Sequence, residues 1–182
     1  MTIAELKNLA DGHSLKYFTA PNEPQLLAIF GGMFGTYEVT LTLQSDGEFL
    51  QFRTQGYASC PTDHPHFAKV LATLGHLNFQ RRLTKFGWDP NDGEIMAFAD
   101  VWLMDATLTQ KQFDRMVSGF VPTIDVGYRR IQQALSTGND PGDEGALLGP
   151  SAGGPGAFLI GKLKEVSKGT PPKPEEGPIT EI

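Results

Sequence analysis

Residues 36–43, "TYEVTLTL", alternate strictly: Tyr37, Val39, Leu41 and Leu43 fall on one side of an extended chain, and Thr36, Glu38, Thr40 and Thr42 on the other. Successive side chains of a strand point to opposite faces, so this segment is a strand with one buried face and one wet face. A helix would scatter both sets around its circumference. Such a strand requires partners, and the surrounding sequence supplies them. "SDGE" at 45–48 turns the chain into "FLQFRT", a hairpin signalled by its Asp-Gly step. "SLKYFTA" and "QLLAIF" precede it as shorter strand-like segments, and "LTKFGW" and "EIMAFADVWLM" follow later in the chain.

Elsewhere the period changes from two to between three and four. Thr2 with Glu5 makes a capping box for a short helix bearing Ile3, Leu6 and Leu9, ended by Asp11-Gly12. Phe67, Val70, Leu71, Leu74 and Leu77 predict a second helix that ends near Arg82, with Asp63 or His64 at its cap and Pro65 in its first turn. Thr109 and Gln112 form another capping box. It opens a long amphipathic helix of Phe113, Met116, Val117, Phe120, Val121, Ile124, Tyr128, Ile131 and Leu135, kinked at Pro122. The order is α-β-β-β-β-α-β-β-α. Helices gathered on an antiparallel sheet make an α+β fold.

This pattern occupies residues 1–136. Residues 137–182 hold 10 of the 21 glycines and 7 of the 13 prolines, and they read as a flexible C-terminal tail because so few large apolar side chains cannot offset the entropy of ordering. One short apolar segment interrupts the tail at 157–166, "AFLIGKLKEV", with Phe158, Leu159, Leu163 and Val166 as candidate partner-binding residues and Lys162, Lys164 and Glu165 opposite them. A helix of about ten residues is marginal in water and needs a surface to dock on. That surface is a partner or the protein's own sheet.

The chain carries 15 basic and 21 acidic side chains, a formal net charge of −6. A nucleic-acid binder that tracks the phosphate backbone needs a dense basic face, so no nucleic-acid partner is expected. Cys60 is the single cysteine, which excludes an intrachain disulfide and fits a reducing compartment. The first residues lack the basic and apolar regions of a secretory signal, and no apolar run approaches the roughly 20 residues of a membrane span. The expectation is a soluble, cytoplasmic protein with no integral membrane segment. Peripheral membrane contact through 157–168, lysines outward, is a weaker alternative.

Two clusters bear on catalysis. "FGWDPNDGEI" at 86–95 concentrates carboxylates, but set against a calcium loop beginning at Asp89 it falls one residue short, with Gly93 where position 5 needs an oxygen ligand. As a hairpin turn every residue fits: Pro90 fixes φ, Asn91 and Asp92 tolerate left-handed conformations, and Gly93 accepts positive φ. "CPTDHPH" brings Cys60, Asp63, His64 and His66 within seven positions, and Cys60, His64 and His66 as zinc ligands would make a metal-dependent enzyme the alternative function. The spacing matches no common zinc pattern. No nucleophile elbow, dinucleotide fingerprint or P-loop is present, so no catalytic residues and no cofactor are expected. Arg81-Arg82 and Arg129-Arg130 read as charge pairs on solvated helix faces.

The run "LGHLNFQRRLTKFGWDPNDGEIMAFADVWLMDATLTQKQFDRMV" combines a helix with Leu-Asn near its end, a hairpin turning at Asp-Gly-Glu, a strand closing on an apolar-Asp step and a threonine-capped helix. In this it resembles the YbjN family, whose members are similar in fold to type III secretion chaperones. The likeness covers most of 1–136, is strongest from 74 to 117, and leaves the tail outside. It implies a compact domain that binds other polypeptides, sometimes as a homodimer, and brings no active-site residues. The function expected is therefore a non-catalytic protein-binding module, chaperone-like or an assembly or regulatory adaptor, held in a larger complex through its tail.

Overall fold

The computed structural model describes residues 1–19 and 23–143; the 157–166 segment lies outside the described residues. Helix α1 (Ile3–Gly12) leads into β1 (Tyr17–Phe18), β2 (Gln25–Gly31), β3 (Thr36–Gln44), β4 (Phe49–Gln55) and β5 (Ala58–Ser59). Helix α2 (Phe67–Gln80), the hairpin β6 (Lys85–Trp88) and β7 (Glu94–Trp102), and helix α3 (Gln110–Thr137) complete it. All strand pairings are antiparallel, in the order β1-β2-β3-β4-β7. Strand β5 and strand β6 also pair with β7. Ile95 faces Ala58 on one side and Trp88 on the other, so β5 continues the edge of β4, and β6 is the outer strand. The α+β class and element order match the sequence reading, with one addition: the two-residue β5, too short to show a period.

The alternation of 36–43 is realised in full. Tyr37, Val39, Leu41 and Leu43 are buried, as are Leu26 and Ala28 on β2, Leu50 and Phe52 on β4, and Ile95, Ala97 and Ala99 on β7. All belong to one core that also takes in Leu6 of α1, Val70, Leu74 and Leu77 of α2, and Phe113, Phe120, Ile124 and Ile131 of α3. Phe52 sits between Phe113 and Phe120, ring centroids 6.0 and 5.7 Å away. Burying side chains of this size contributes about 1.5–3 kcal/mol each. Helix α3 runs unbroken through Pro122.

Both expected capping boxes form, at Thr2 with Glu5 and at Thr109 with Gln112. The start of α2 differs from expectation. Asp63 and His64 lie in the preceding turns, the cap is His66, and no side chain there bonds the helix N-terminus; His64 Nδ1 instead accepts the His66 N–H at 3.2 Å. The helix ends at Gln80, not Arg82, because Arg81 is extended.

The acidic decapeptide is a turn. Asp89 N–H donates to the Glu94 carbonyl at 2.8 Å, Gly93 N–H donates to the Asp89 carbonyl at 2.9 Å, and the Asp89 and Asp92 carboxylates accept the N–H groups of Asn91 and Glu94. Positive φ falls on Gly93 alone among these residues, at 77°, so Asn91 and Asp92 serve as local acceptors and not as left-handed residues. A Cβ on Gly93 would stand 2.8 Å from the Cys60 carbonyl oxygen, so any side chain there would push the hairpin off the Cys60–Pro61 backbone.

The outer strand β6 is closed by a side chain. Asn78 Oδ1 accepts the Phe86 N–H at 2.7 Å and Asn78 Nδ2 donates to the Phe86 carbonyl at 2.9 Å, so one amide takes the place of a neighbouring strand. Lys85 Nζ donates to the Asn78 and Arg81 carbonyls at the end of α2. An edge strand with free backbone groups invites pairing with another chain, and these contacts block it.

Candidate functional site

The helices cover one face of the sheet. Among the described residues nothing covers the other, and its side chains follow from the strand period: those one position before or after each buried residue. Register aligns them in rows. Phe18, Leu27, Thr40, Arg53, Phe98 and Lys85 form one row across the sheet, and Gln44, Phe49 and Trp102 form another at one end.

Apolar side chains gather at two ends of this open face. On the β1–β2 side Phe18 is 66% exposed and Ile29 50%. On the β4–β7 side Trp102 is 66% exposed and stacks on Phe49 with centroids 4.8 Å apart, and Met104, 58% exposed, follows it. A polar ladder separates the ends, Gln51 donating to Asp100 at 2.9 Å and Arg53 to Glu94 at 3.1 Å. The Trp102 end has an acidic rim: Asp46, Glu48, Asp100 and Asp105 are all exposed. The Glu48 carbonyl accepts the N–H groups of Leu103 and Met104 at 2.7 and 3.2 Å, which fixes this corner.

Two buried polar sites brace the scaffold behind the face. The Asp125 carboxylate on α3 accepts the N–H groups of Met33 and Phe34, both at 2.9 Å, and the Tyr37 hydroxyl at 2.6 Å. It thereby clasps the β2–β3 loop, "GGMFG", to the long helix. Burial first, and then the Asp125 hydrogen bond and charge, push the Tyr37 hydroxyl well above its ordinary range, so it remains a donor. Tyr57, also pushed up by burial, donates to the Ile124 carbonyl.

At the far end of α3 Arg130 is buried. Its guanidinium bonds Asp140 twice, at 2.8 and 2.6 Å, Asp143 at 3.0 Å and the Gln80 side chain at 2.7 Å. Arg81 bonds the other Asp143 oxygen at 2.7 Å. The solvated reading of Arg81 and Arg130 is therefore corrected: both are buried partners of carboxylates that lie beyond α3 in the sequence. Gly138, at φ 74°, ends the helix in the left-handed conformation and turns residues 139–143 back toward α2.

The candidate metal set does not assemble. Cys60 is buried, and desolvation pushes its thiol up, which disfavours the thiolate that binds zinc or attacks substrate. His64 and His66 meet edge to face with centroids 5.9 Å apart, and no three His, Cys, Asp or Glu residues group as metal ligands among the described residues. The candidates Phe158, Leu159, Leu163 and Val166 lie outside the described residues. Sequence reasoning missed the exposed Phe18 and Trp102 and the half-buried Phe49. The available signal was period two in "EIMAFADVW", which sets Met96, Phe98, Asp100 and Trp102 against the buried Ile95, Ala97 and Ala99.

No helix among the described residues is long and apolar enough to cross a membrane. No curated protein matches the chain. Among solved structures it is similar to YbjN of E. coli, "a putative transcription regulator", at 16% identity over 75% of this chain and 92% of that one, TM-score 0.55. It is also similar to a chain of the ExsC–ExsE complex, at 18% identity, 72% and 97% coverage and TM-score 0.49. A chain of the HopA1–SchA chaperone–effector complex matches at 13% identity, 67% and 90% coverage and TM-score 0.47. The sequence profile of the YbjN family, "Putative bacterial sensory transduction regulator", matches residues 2–133, most of the chain, and the protein belongs to that family.

Proposed function

We propose that this protein is a non-catalytic protein-binding module, chaperone-like or an adaptor, whose open sheet face receives an apolar, basic segment of a protein partner. One observation carries the reading: Phe18, Ile29 and Trp102 stand at least half exposed on a sheet face that no described element covers. Exposed large apolar residues gathered on one surface mark interaction sites. The partner's charge follows from the rim, and from the balance of residues 1–143, eleven basic side chains against sixteen acidic ones. Phe158, Leu159, Leu163 and Val166 of the tail supply a second contact, and tethering two weak contacts raises overall affinity. In this reading the YbjN family's description as a regulator fits a protein that acts by binding.

The test places a photo-crosslinking residue at Gln51, central on the face, and a control at Lys7 on α1. Crosslinked segments that are apolar and basic, captured from Gln51 and not Lys7, and lost in Phe18→Ser/Trp102→Ser, support the proposal. Equal capture at both positions, or capture of acidic segments, removes the face from the account.

A further inference from the structure

The Trp102 corner has a candidate occupant within the same chain. Asp143, where the described residues end, is held by Arg81, and the connection from Arg81 leads into β6 at Lys85. Lys85 pairs with Phe98, and β7 continues from there to Trp102 in the direction opposite to β6. The chain therefore leaves the described body beside the start of β6, the end of that strand nearer Trp102. Strand β6 is the outer strand and β7 its neighbour, so only one strand separates that exit from the open face.

Length and charge agree with this placement. Trp102 lies four residues beyond Phe98, about 13 Å along the strand. The fourteen residues 144–157 are rich in glycine and have a mean reach of about 20 Å and a contour of about 46 Å. The segment that follows, 157–168, carries three lysines against one glutamate, interleaved with Phe158, Leu159, Ile160, Leu163 and Val166. The corner is its complement: Trp102, Phe49 and Met104 offer apolar surface, and Asp46, Glu48, Asp100 and Asp105 surround it. No other stretch of the chain joins this many large apolar side chains to a net positive charge outside the described body.

We infer that residues 157–168 of the same molecule cover the Phe49–Trp102 corner when no partner is bound, so that a partner must displace the tail to use the whole face. The inference rests on the binding face proposed above and adds its regulation. A tethered segment meets its site at about millimolar effective concentration, so even ~0.1 mM intrinsic affinity leaves the corner covered roughly nine-tenths of the time. A partner that binds the corner more tightly releases the tail, which is then free to make the second contact.

Trp88 and Trp102 are the two tryptophans, so Trp88→Phe leaves Trp102 as the sole reporter in an otherwise full chain. Acrylamide quenching of Trp102 is compared between this parent and the same chain carrying Leu159→Asp/Leu163→Asp. Quenching roughly fivefold stronger in the tail variant, with an intermediate rise for Lys162→Glu/Lys164→Glu, supports the inference. Equal quenching in parent and variant overturns it. Shielding that disappears on dilution assigns the corner to a second copy and overturns the in-chain placement. Fluorotryptophan NMR of the chain with Trp88 intact gives the same reading should Trp88→Phe disturb the fold. The outcome is separable from the proposed function: an uncovered Trp102 alongside crosslinking at Gln51 retires only the tail, whereas a covered Trp102 without partner crosslinking retires the partner face.

Discussion

The two faces of the sheet are built from the same strands and opposite halves of the same sequence, yet they meet opposite demands. On the helix face, β4 presents Leu50, Phe52 and Thr54, all buried to within about 1% of full. On the open face it presents Phe49, Gln51, Arg53 and Gln55, tied into cross-strand polar pairs and one exposed aromatic stack. Removing a group from the packed face leaves a cavity that its surroundings fill only in part, while a group removed from the open face is replaced by water. Stability and recognition are thus assigned to alternate residues of one strand. Substitutions at neighbouring positions separate them.

The largest effect is expected from Phe52→Ala. Phe52 is enclosed by Phe113 and Phe120, and its removal should cost about 3–5 kcal/mol, read as a lower urea midpoint with unchanged slope. A loss below about 1 kcal/mol would mean that the helix layer is not seated on this face. Arg130→Ala comes next. Breaking a buried pair usually costs about 3–5 kcal/mol, and here the lower end applies because the stranded carboxylates can rehydrate: Asp140 and Asp143 keep 18% and 23% of their side-chain exposure.

Arg130 also marks where sequence reading stops. Among the described residues the hydrophobic period located the three helices and six of the seven strands, because burial of a whole face leaves a regular trace. A period cannot show that a charged residue at a helical position is buried, since its partner lies outside the helix. Asp140 and Asp143 sit in "GNDPGD", whose glycines and proline read as the start of a tail, and the pairing becomes visible only when Gly138 turns the chain back. The turn at 89–93 was legible because its chemistry is local. Asn78 was noticed as part of a pattern, but its task of closing β6 depends on a strand eight residues away. The open face was legible in principle from β3 and less so from β7, where Met96 and Phe98 on one side and Ile95, Ala97 and Ala99 on the other are all apolar.

At the edge of the sheet a single amide stands in for a strand. Asn78→Ala leaves the Phe86 N–H and carbonyl without partners, at a cost of about 1–3 kcal/mol, and opens β6 for pairing between molecules. Light scattering should then show association that the parent lacks. A smaller effect is expected from acid. Burial alone would raise the Asp140 carboxyl, but the Arg130 hydrogen bond, the Gly142 N–H and the Arg130 charge outweigh it and hold it below its ordinary value of 3.8. A carboxyl depressed on folding adds stability that is complete above its unfolded value and disappears as pH falls through the folded one. Unfolding midpoints should therefore decline below about pH 4, and Asp140→Asn should flatten that decline while lowering stability at neutral pH. Identical acid limbs in parent and variant would place the clamp's contribution elsewhere.

Trp102→Ser is the smallest perturbation of the fold and the most direct test of the division between faces. The indole is 66% exposed and its main contact is the Phe49 ring, so its loss should change stability by no more than about 0.5–1.5 kcal/mol, the range of an aromatic pair. The same substitution removes the largest apolar surface at the acidic corner and should weaken capture of an apolar, basic peptide by tenfold or more, about 1.4 kcal/mol, in keeping with a central aromatic anchor. A large stability loss would show that Trp102 serves the core after all. Unchanged stability together with unchanged capture would move recognition to the Phe18 and Ile29 end of the face, where Phe18→Ser should then carry the effect.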